Sequence, residues 1–149
     1  MPEAGKLESV INCLLILTLL ASCSGKTSVE DMDKEAQNIS SWVATVNMVG
    51  DAWIRNVIPN NYAEQTLKKA TEELQKEKDK IDKIKLSKDV TQDDKSVLLG
   101  EVIQLTNKTE AMSRAVGQKN RLEVQQKLGE LAIEERSLNK LKKSSRANQ

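Results

Sequence analysis

Three glutamates are the residues whose positions suggest chemistry. Glu77 and Glu135 occupy positions where the apolar spacing of two predicted helices favours a hydrophobic residue, and Glu101 lies beside such a position. If the helices alternate in direction, the three carboxylates lie at a similar height, where they could bind a cation or act as an acid–base pair. Alternatively, each side chain rotates to the edge of the bundle and pairs with a neighbouring cation, because an unpaired buried carboxylate is costly. We favour this second interpretation.

The composition excludes several kinds of site. The sequence contains no histidine. This rules out Ser–His and Cys–His catalysis, the usual zinc sites and the Glu-x-x-His pairs of di-iron bundles. Gly25-Lys26-Thr27 lacks the upstream glycine of a phosphate-binding loop. We therefore expect a protein that is not an enzyme and that has no metal site and no cofactor. The net charge of +1 offers no basic surface for nucleic acid.

Apolar residues recur every three or four positions in four segments, which predicts amphipathic helices at about 29–57, 61–86, 92–116 and 121–142. No alternating run of β-branched residues competes with this pattern. The predicted apolar stripes are Ile39, Trp42, Val46, Val49, Trp53 and Val57; Ala63, Leu67, Ala70, Leu74, Ile81 and Ile84; Leu98, Val102, Leu105, Met112 and Val116; and Val124, Leu128, Leu131, Leu138 and Leu141.

The helix ends are predicted from residues that cap or interrupt helices. Pro59 closes the first helix, and Gly117 suits the position just after the third. Residues 143–149 are expected to form a flexible tail. Each helix begins with a capping residue and an acidic residue three positions later: Ser28 and Asp31, Asn61 and Glu64, Thr91 and Asp94, and Asn120 and Glu123.

Four helices of similar length joined by short connections favour antiparallel neighbours. The predicted fold is therefore all-α, an up-down-up-down four-helix bundle. The alternative is a helical coiled coil that completes its core by oligomerising, since the second and fourth stripes are narrow.

The first helix has a wider apolar face than a bundle requires. Its stripe, which includes Trp42 and Trp53, is predicted to be core, and Val43, Ile54 and Ile58 extend that surface on one flank. Either this helix is the most central one, or the flank is an exposed patch that binds a second protein or a second copy of the chain.

The N-terminal segment has the pattern of an export signal. Residues 10–21 form an apolar run that is too short for a membrane span of about 20 residues but suits a signal peptide. The run ends in Leu20-Ala21-Ser22-Cys23, which resembles the lipobox of bacterial lipoproteins. The resemblance implies cleavage between Ser22 and Cys23 and lipid attachment to Cys23.

This resemblance sets the expected organisation of the chain. Residues 1–22 would be a signal peptide, 23–28 the lipidated cysteine and its tether, and 29–142 a bundle facing the periplasm or the cell exterior. Cys13 would leave with the signal, so no disulfide is expected. The expected partners are the membrane, through the lipid, and another protein or a second copy.

Two classes of function remain open. The first is a non-enzymatic envelope lipoprotein with an accessory, scaffold or protein-binding role. The second is a helical lipoprotein that binds a small molecule or a cation through carboxylates. A pocket lined by Glu77, Glu101 and Glu135 would favour the second class, and a continuous apolar core at that level would favour the first.

Overall fold

The computed structural model describes residues 28–147, and side chains as far as residue 140. The predicted signal peptide and Cys23 lie outside the described residues. Four helices account for most of this region, and it contains no strand. The helices are α1 (Ser28–Ile54), α2 (Asn60–Lys83), α3 (Gln92–Gly117) and α4 (Arg121–Ala147).

The helices form the predicted four-helix bundle. Helix α1 packs against α2 and α4, α3 packs against the same two helices, and α1 and α3 touch only slightly across the diagonal. Because consecutive helices are antiparallel neighbours, the start of α1, the α2–α3 connection and the end of α4 share one end, called here the proximal end. The α1–α2 and α3–α4 connections lie at the opposite, distal end.

The predicted stripes meet in a core that closes within one chain. Trp42, Ile84 and Leu128 are partly buried against it, whereas Val57 is 66% exposed, so its assignment to the core was wrong. The side chain of Leu141 lies outside the described part. The buried hydrophobic residues of this core are Ala36, Ile39, Val43, Val46, Val49, Trp53, Ala63, Leu67, Ala70, Leu74, Ile81, Leu98, Val102, Leu105, Met112, Ala115, Val116, Val124, Leu131 and Leu138.

Left-handed residues end α1 and α3 at the distal end. Asn56 has φ 58°, and the Val57 N–H donates to the Ala52 carbonyl oxygen at 2.8 Å. This turn ends α1 at Ile54, three residues before the predicted end. In the other distal connection the left-handed residue is Lys119, with φ 55°, and not the predicted Gly117.

Two of the predicted caps are present. Thr91 and Asp94 form a capping box at the start of α3. The Glu123 N–H donates to Asn120 Oδ1 at 3.2 Å at the start of α4. The prediction for α2 was wrong: this helix begins at Asn60 after Pro59, with no side-chain cap.

The proximal ends of α2 and α4 also differ from prediction. Helix α2 ends at Lys83, where Lys95 Nζ donates to the carbonyl oxygens of Asp82 at 2.5 Å and Ile84 at 3.1 Å. Helix α4 continues to Ala147, so most of the predicted tail is helical in the described part.

Candidate functional site

The structure separates the three predicted glutamates. Glu77 lies between α2 and α1, and Glu101 lies on α3 beside α4. Glu135 lies between α4 and α1, where its Oε2 accepts a hydrogen bond from Asn47 Nδ2 at 3.2 Å. The three side chains therefore do not form the single carboxylate site considered from the sequence.

Glu77 instead belongs to a cluster with Glu35, Asn38 and Lys80, which we call the first carboxyl cluster. Glu35 and Glu77 are only 7% and 3% exposed. Asn38 Nδ2 donates to Glu35 Oε2 at 3.3 Å and to Glu77 Oε2 at 3.4 Å. Lys80 Nζ lies 2.8 Å from Glu77 Oε1 and 3.7 Å from Glu35 Oε2. One lysine therefore serves two buried carboxyl groups.

The two carboxyl groups of this cluster have opposite pKa shifts. Burial raises the pKa of Glu35, and the hydrogen bond to Glu77 and the charge of Glu77 raise it further, against the smaller effects of Lys80 and Asn38. Burial also acts to raise the pKa of Glu77. Hydrogen bonds from Glu35, Lys80 and Asn38 outweigh that effect, so the pKa of Glu77 is lowered. Glu35 therefore keeps its proton longer than Glu77 does as the pH rises.

Glu101, Glu134 and Lys108 form the second carboxyl cluster, between α3 and α4. Lys108 Nζ pairs with Glu134 Oε1. Burial raises the pKa of Glu101, the hydrogen bond to Glu134 and the charge of Glu134 raise it further, and the charge of Lys108 opposes this. Glu101 Oε2 is fully buried and accepts no hydrogen bond from any donor in the described region.

Neither cluster has the composition of a metal site. Among residues 28–140, no group of three or more histidine, cysteine, aspartate or glutamate side chains could hold a metal ion. The first cluster borders a surface cleft between the start of α1 and the end of α2. That cleft is lined by charges of both signs, including Asp31, Lys83 and Lys85. In both clusters a lysine pairs with a glutamate between two neighbouring helices or on one of them.

Sequence reasoning missed Glu35 and Glu134. Glu35 lies four positions before Ile39, so it falls on the apolar stripe of α1, and this spacing could have revealed it. Glu134 precedes the predicted Glu135 by one residue, and one residue turns a helical side chain by about 100°. Only the packing shows which of the two adjacent glutamates faces α3.

The predicted partner-binding flank of α1 lies mostly in the interior. Val43 is completely buried in the core, and Ile54 and Ile58 are half-buried against it. Val43 is thus not accessible to a partner in the folded bundle, and it belongs to the core. Among residues 28–140, the exposed large hydrophobic residues are Met48, Val57, Tyr62, Leu86, Val97, Ile103, Leu122 and Ile133.

The tryptophans pack against the interior. Trp53 is 6% exposed, and its Nε1–H donates to Asn60 Oδ1 at 3.1 Å. The Arg121 guanidinium lies 5.6 Å from the centre of the Trp53 ring. Trp42 is half-buried against the core. Both side chains therefore have structural contacts.

Ser22 and Cys23, the predicted cleavage and lipidation residues, lie outside the part of the chain that the structure describes. Within that part, no helix is both long and apolar enough to cross a membrane. No protein-family model, curated protein or solved structure matches this chain.

Proposed function

We propose that the protein is a bacterial envelope lipoprotein: a four-helix bundle that is held at a membrane by lipid on Cys23 and that acts by contact rather than by catalysis. The proposal rests on the apolar run of residues 10–21 and on the sequence Leu20-Ala21-Ser22-Cys23, which overlaps the end of that run. The mature chain would begin at Cys23, and the bundle would face the periplasm or the cell exterior.

The position of α1 supports this arrangement. Helix α1 begins at Ser28, five residues after Cys23. Five residues span at most about 18 Å. The proximal end of the bundle would therefore lie near the lipid headgroups, and the distal end would point away from the bilayer.

The distal end offers apolar side chains for contact with a protein. Val57, Tyr62 and Leu122 are 66%, 57% and 78% exposed, and they belong to the two distal connections or to the first turns of α2 and α4. Exposed apolar groups favour contact with a complementary apolar surface. We propose that another envelope protein covers this end, and that self-association of the chain is the competing outcome.

The carboxyl clusters support a contact role over ligand binding. Each pair of glutamates is bridged or flanked by a lysine of the same bundle, and each pair lies between neighbouring helices. A lysine at each pair competes with a cation for the carboxylates, which favours a contact role over cation binding.

Two cysteine variants test the anchor. In a bacterial host fed labelled fatty acid, the wild-type protein should incorporate label and sediment with membranes. Cys23→Ala should do neither, because the acylated thiol is missing. Cys13→Ala is the matched control and should behave as wild type, since Cys13 would leave with the signal peptide. An unlabelled wild type, or equal labelling of Cys23→Ala, would contradict the proposal.

A further inference from the structure

Both carboxyl clusters lie in the proximal half of the bundle or close to its middle. Glu35 is seven residues from the start of α1 and Glu77 is six residues from the end of α2, so both lie about 10 Å from the proximal end. Glu101 is nine residues from the start of α3, about 14 Å from that end, and it meets Glu134 near the middle of α4. One cluster joins α1 to α2, and the other joins α3 to α4.

In the first cluster the geometry favours a shared proton. Asn38 and Lys80 each contact both Glu35 and Glu77, so the two carboxyl groups lie side by side. Both residues are largely buried, and two ionised carboxylates in contact repel each other more strongly there than in open water. A single proton converts the pair into a carboxyl group that donates a hydrogen bond to a carboxylate.

In the second cluster an unsatisfied atom leads to the same conclusion. Glu101 Oε2 is buried and receives no hydrogen bond from any described group. A buried acceptor without a donor is costly. A proton on Glu101 removes that cost, because the resulting O–H can donate to the Glu134 carboxylate, whose other partner is Lys108.

We propose that the two clusters form a proton-dependent clamp: in mildly acidic solution each glutamate pair holds one proton and keeps its two helices together, and loss of both protons loosens the proximal half of the bundle. Each loosened pair would be a dianion held by a single lysine. The chain would thereby respond to the acidity around it by opening the end at which α1 begins.

The charged groups around each pair do not cancel this effect. Glu35 and Glu77 face Lys80. The cleft beside them adds one carboxylate and two lysines, all solvent-exposed or half-exposed. In the described region, α3 and α4 make no hydrogen bond or ion pair with this cluster. Glu101 and Glu134 face Lys108, whose charge also acts on Glu130. The neighbouring Lys127 of α4 is paired with Glu130. The groups that line the cleft are Asp31, Lys83 and Lys85.

The direction of the pH dependence follows from the pKa shifts. The pKa values of Glu35 and Glu101 are raised in the folded protein, so their stabilising effect is complete below the unfolded pKa and is lost as the pH rises through the folded pKa. The pKa of Glu77 is lowered in the folded protein, so its ionised carboxylate contributes stability above the unfolded pKa. This contribution is lost as the pH falls through the lowered pKa. As the pH rises from the ordinary range of a glutamate through the raised pKa values of Glu35 and Glu101, the stability that their protonated forms contribute should be lost.

The double variant Glu35→Gln with Glu101→Gln tests the clamp. A glutamine amide donates a hydrogen bond to the partner carboxylate at every pH, so it imitates the protonated glutamate. The melting temperature of the full chain, followed by circular dichroism, should fall for the wild type between mildly acidic and alkaline pH. It should change little for the double variant, which should melt above the wild type at alkaline pH.

A control and a local measurement complete the experiment. Glu110→Gln replaces an exposed glutamate of α3 and should keep the wild-type pH profile. Hydrogen exchange, corrected for its intrinsic pH dependence, should show loss of protection at alkaline pH in the proximal halves of the wild-type helices, with the distal halves unchanged. A wild-type melting temperature that stays flat or rises over this range, or a double variant that keeps the wild-type slope, would overturn the proposal.

Discussion

Arg121 connects the two distal turns of the bundle through three contacts. Its Nη1 donates to Asn56 Oδ1 at 2.7 Å, its Nη2 donates to the carbonyl oxygen of Ile54, and its guanidinium lies 5.6 Å from the centre of the Trp53 ring. These contacts satisfy a carbonyl at the end of α1 and hold the left-handed Asn56 in place. The first residue of α4 thus stabilises the end of α1.

Removing this side chain should destabilise the bundle measurably. We expect Arg121→Ala to lower the free energy of unfolding by about 1–2 kcal/mol, the sum of a partly exposed cation–π contact and charge-assisted hydrogen bonds. Arg55→Ala is the matched control, because Arg55 forms only a surface pair with Asp51 and should cost about 0.5 kcal/mol or less. Urea unfolding measures both. Equal effects of the two variants would show that Arg121 does not connect the turns.

At the scale of helices, Gly50 allows α1 to approach its neighbours closely. A Cβ atom at this position would lie 2.9 Å from Leu128 Cδ2 on α4 and 3.0 Å from Met112 Sδ on α3. By contrast, a Cβ at Gly100 or Gly129 would have no atom within 4 Å. Of these three glycines, only Gly50 lies in a tightly packed position.

Substitution of these glycines should therefore give effects of opposite sign. Gly129→Ala and Gly100→Ala should each raise the free energy of unfolding by about 0.5–1 kcal/mol, because alanine favours the helix and fits without contact. Gly50→Leu should lower it by about 1–3 kcal/mol through overpacking. Thermal or urea unfolding measures the set. A stabilised Gly50→Leu variant would contradict the close packing of α1.

The sequence pattern predicted the helices well and their ends less well. Apolar spacing alone identified four helices and most of the core, because periodicity of 3.6 residues directly reports the buried face. Val57 was wrongly included because the left-handed Asn56, which ends α1, is a non-glycine residue that sequence patterns seldom place there. Lys119 ends α3 in the same way, beside a glycine that is not left-handed.

The carboxyl clusters could be predicted only in part. Glu77 pairs with the neighbouring Lys80, as in the interpretation we favoured, but its side chain is buried and does not lie at the edge of the bundle. Its partner Glu35 and the pairing of Glu101 with Glu134 depend on the relative register of two helices, which rotates by about 100° for each residue of error. That register is set by packing across the core, and no local pattern in the sequence encodes it.

At the scale of the whole molecule, the two ends of the bundle differ. The proximal end contains the start of α1, and the two carboxyl pairs lie toward it. Exposed apolar side chains occur at both ends, Val57, Tyr62 and Leu122 at the distal end and Leu86 and Val97 at the proximal end. If Cys23 is lipidated, the half that contains the two carboxyl pairs lies next to the membrane, and the distal connections point away from it.

The lipid anchor is the central proposal, and the intact mass of the protein tests it most directly. The full-length gene would be expressed in a bacterium, and the product extracted from membranes with detergent. We predict the mass of the chain from Cys23 onward plus a diacylglyceryl group, with or without a third acyl chain. A mass corresponding to the uncleaved chain, or to a chain from Cys23 onward without lipid, would contradict the proposal.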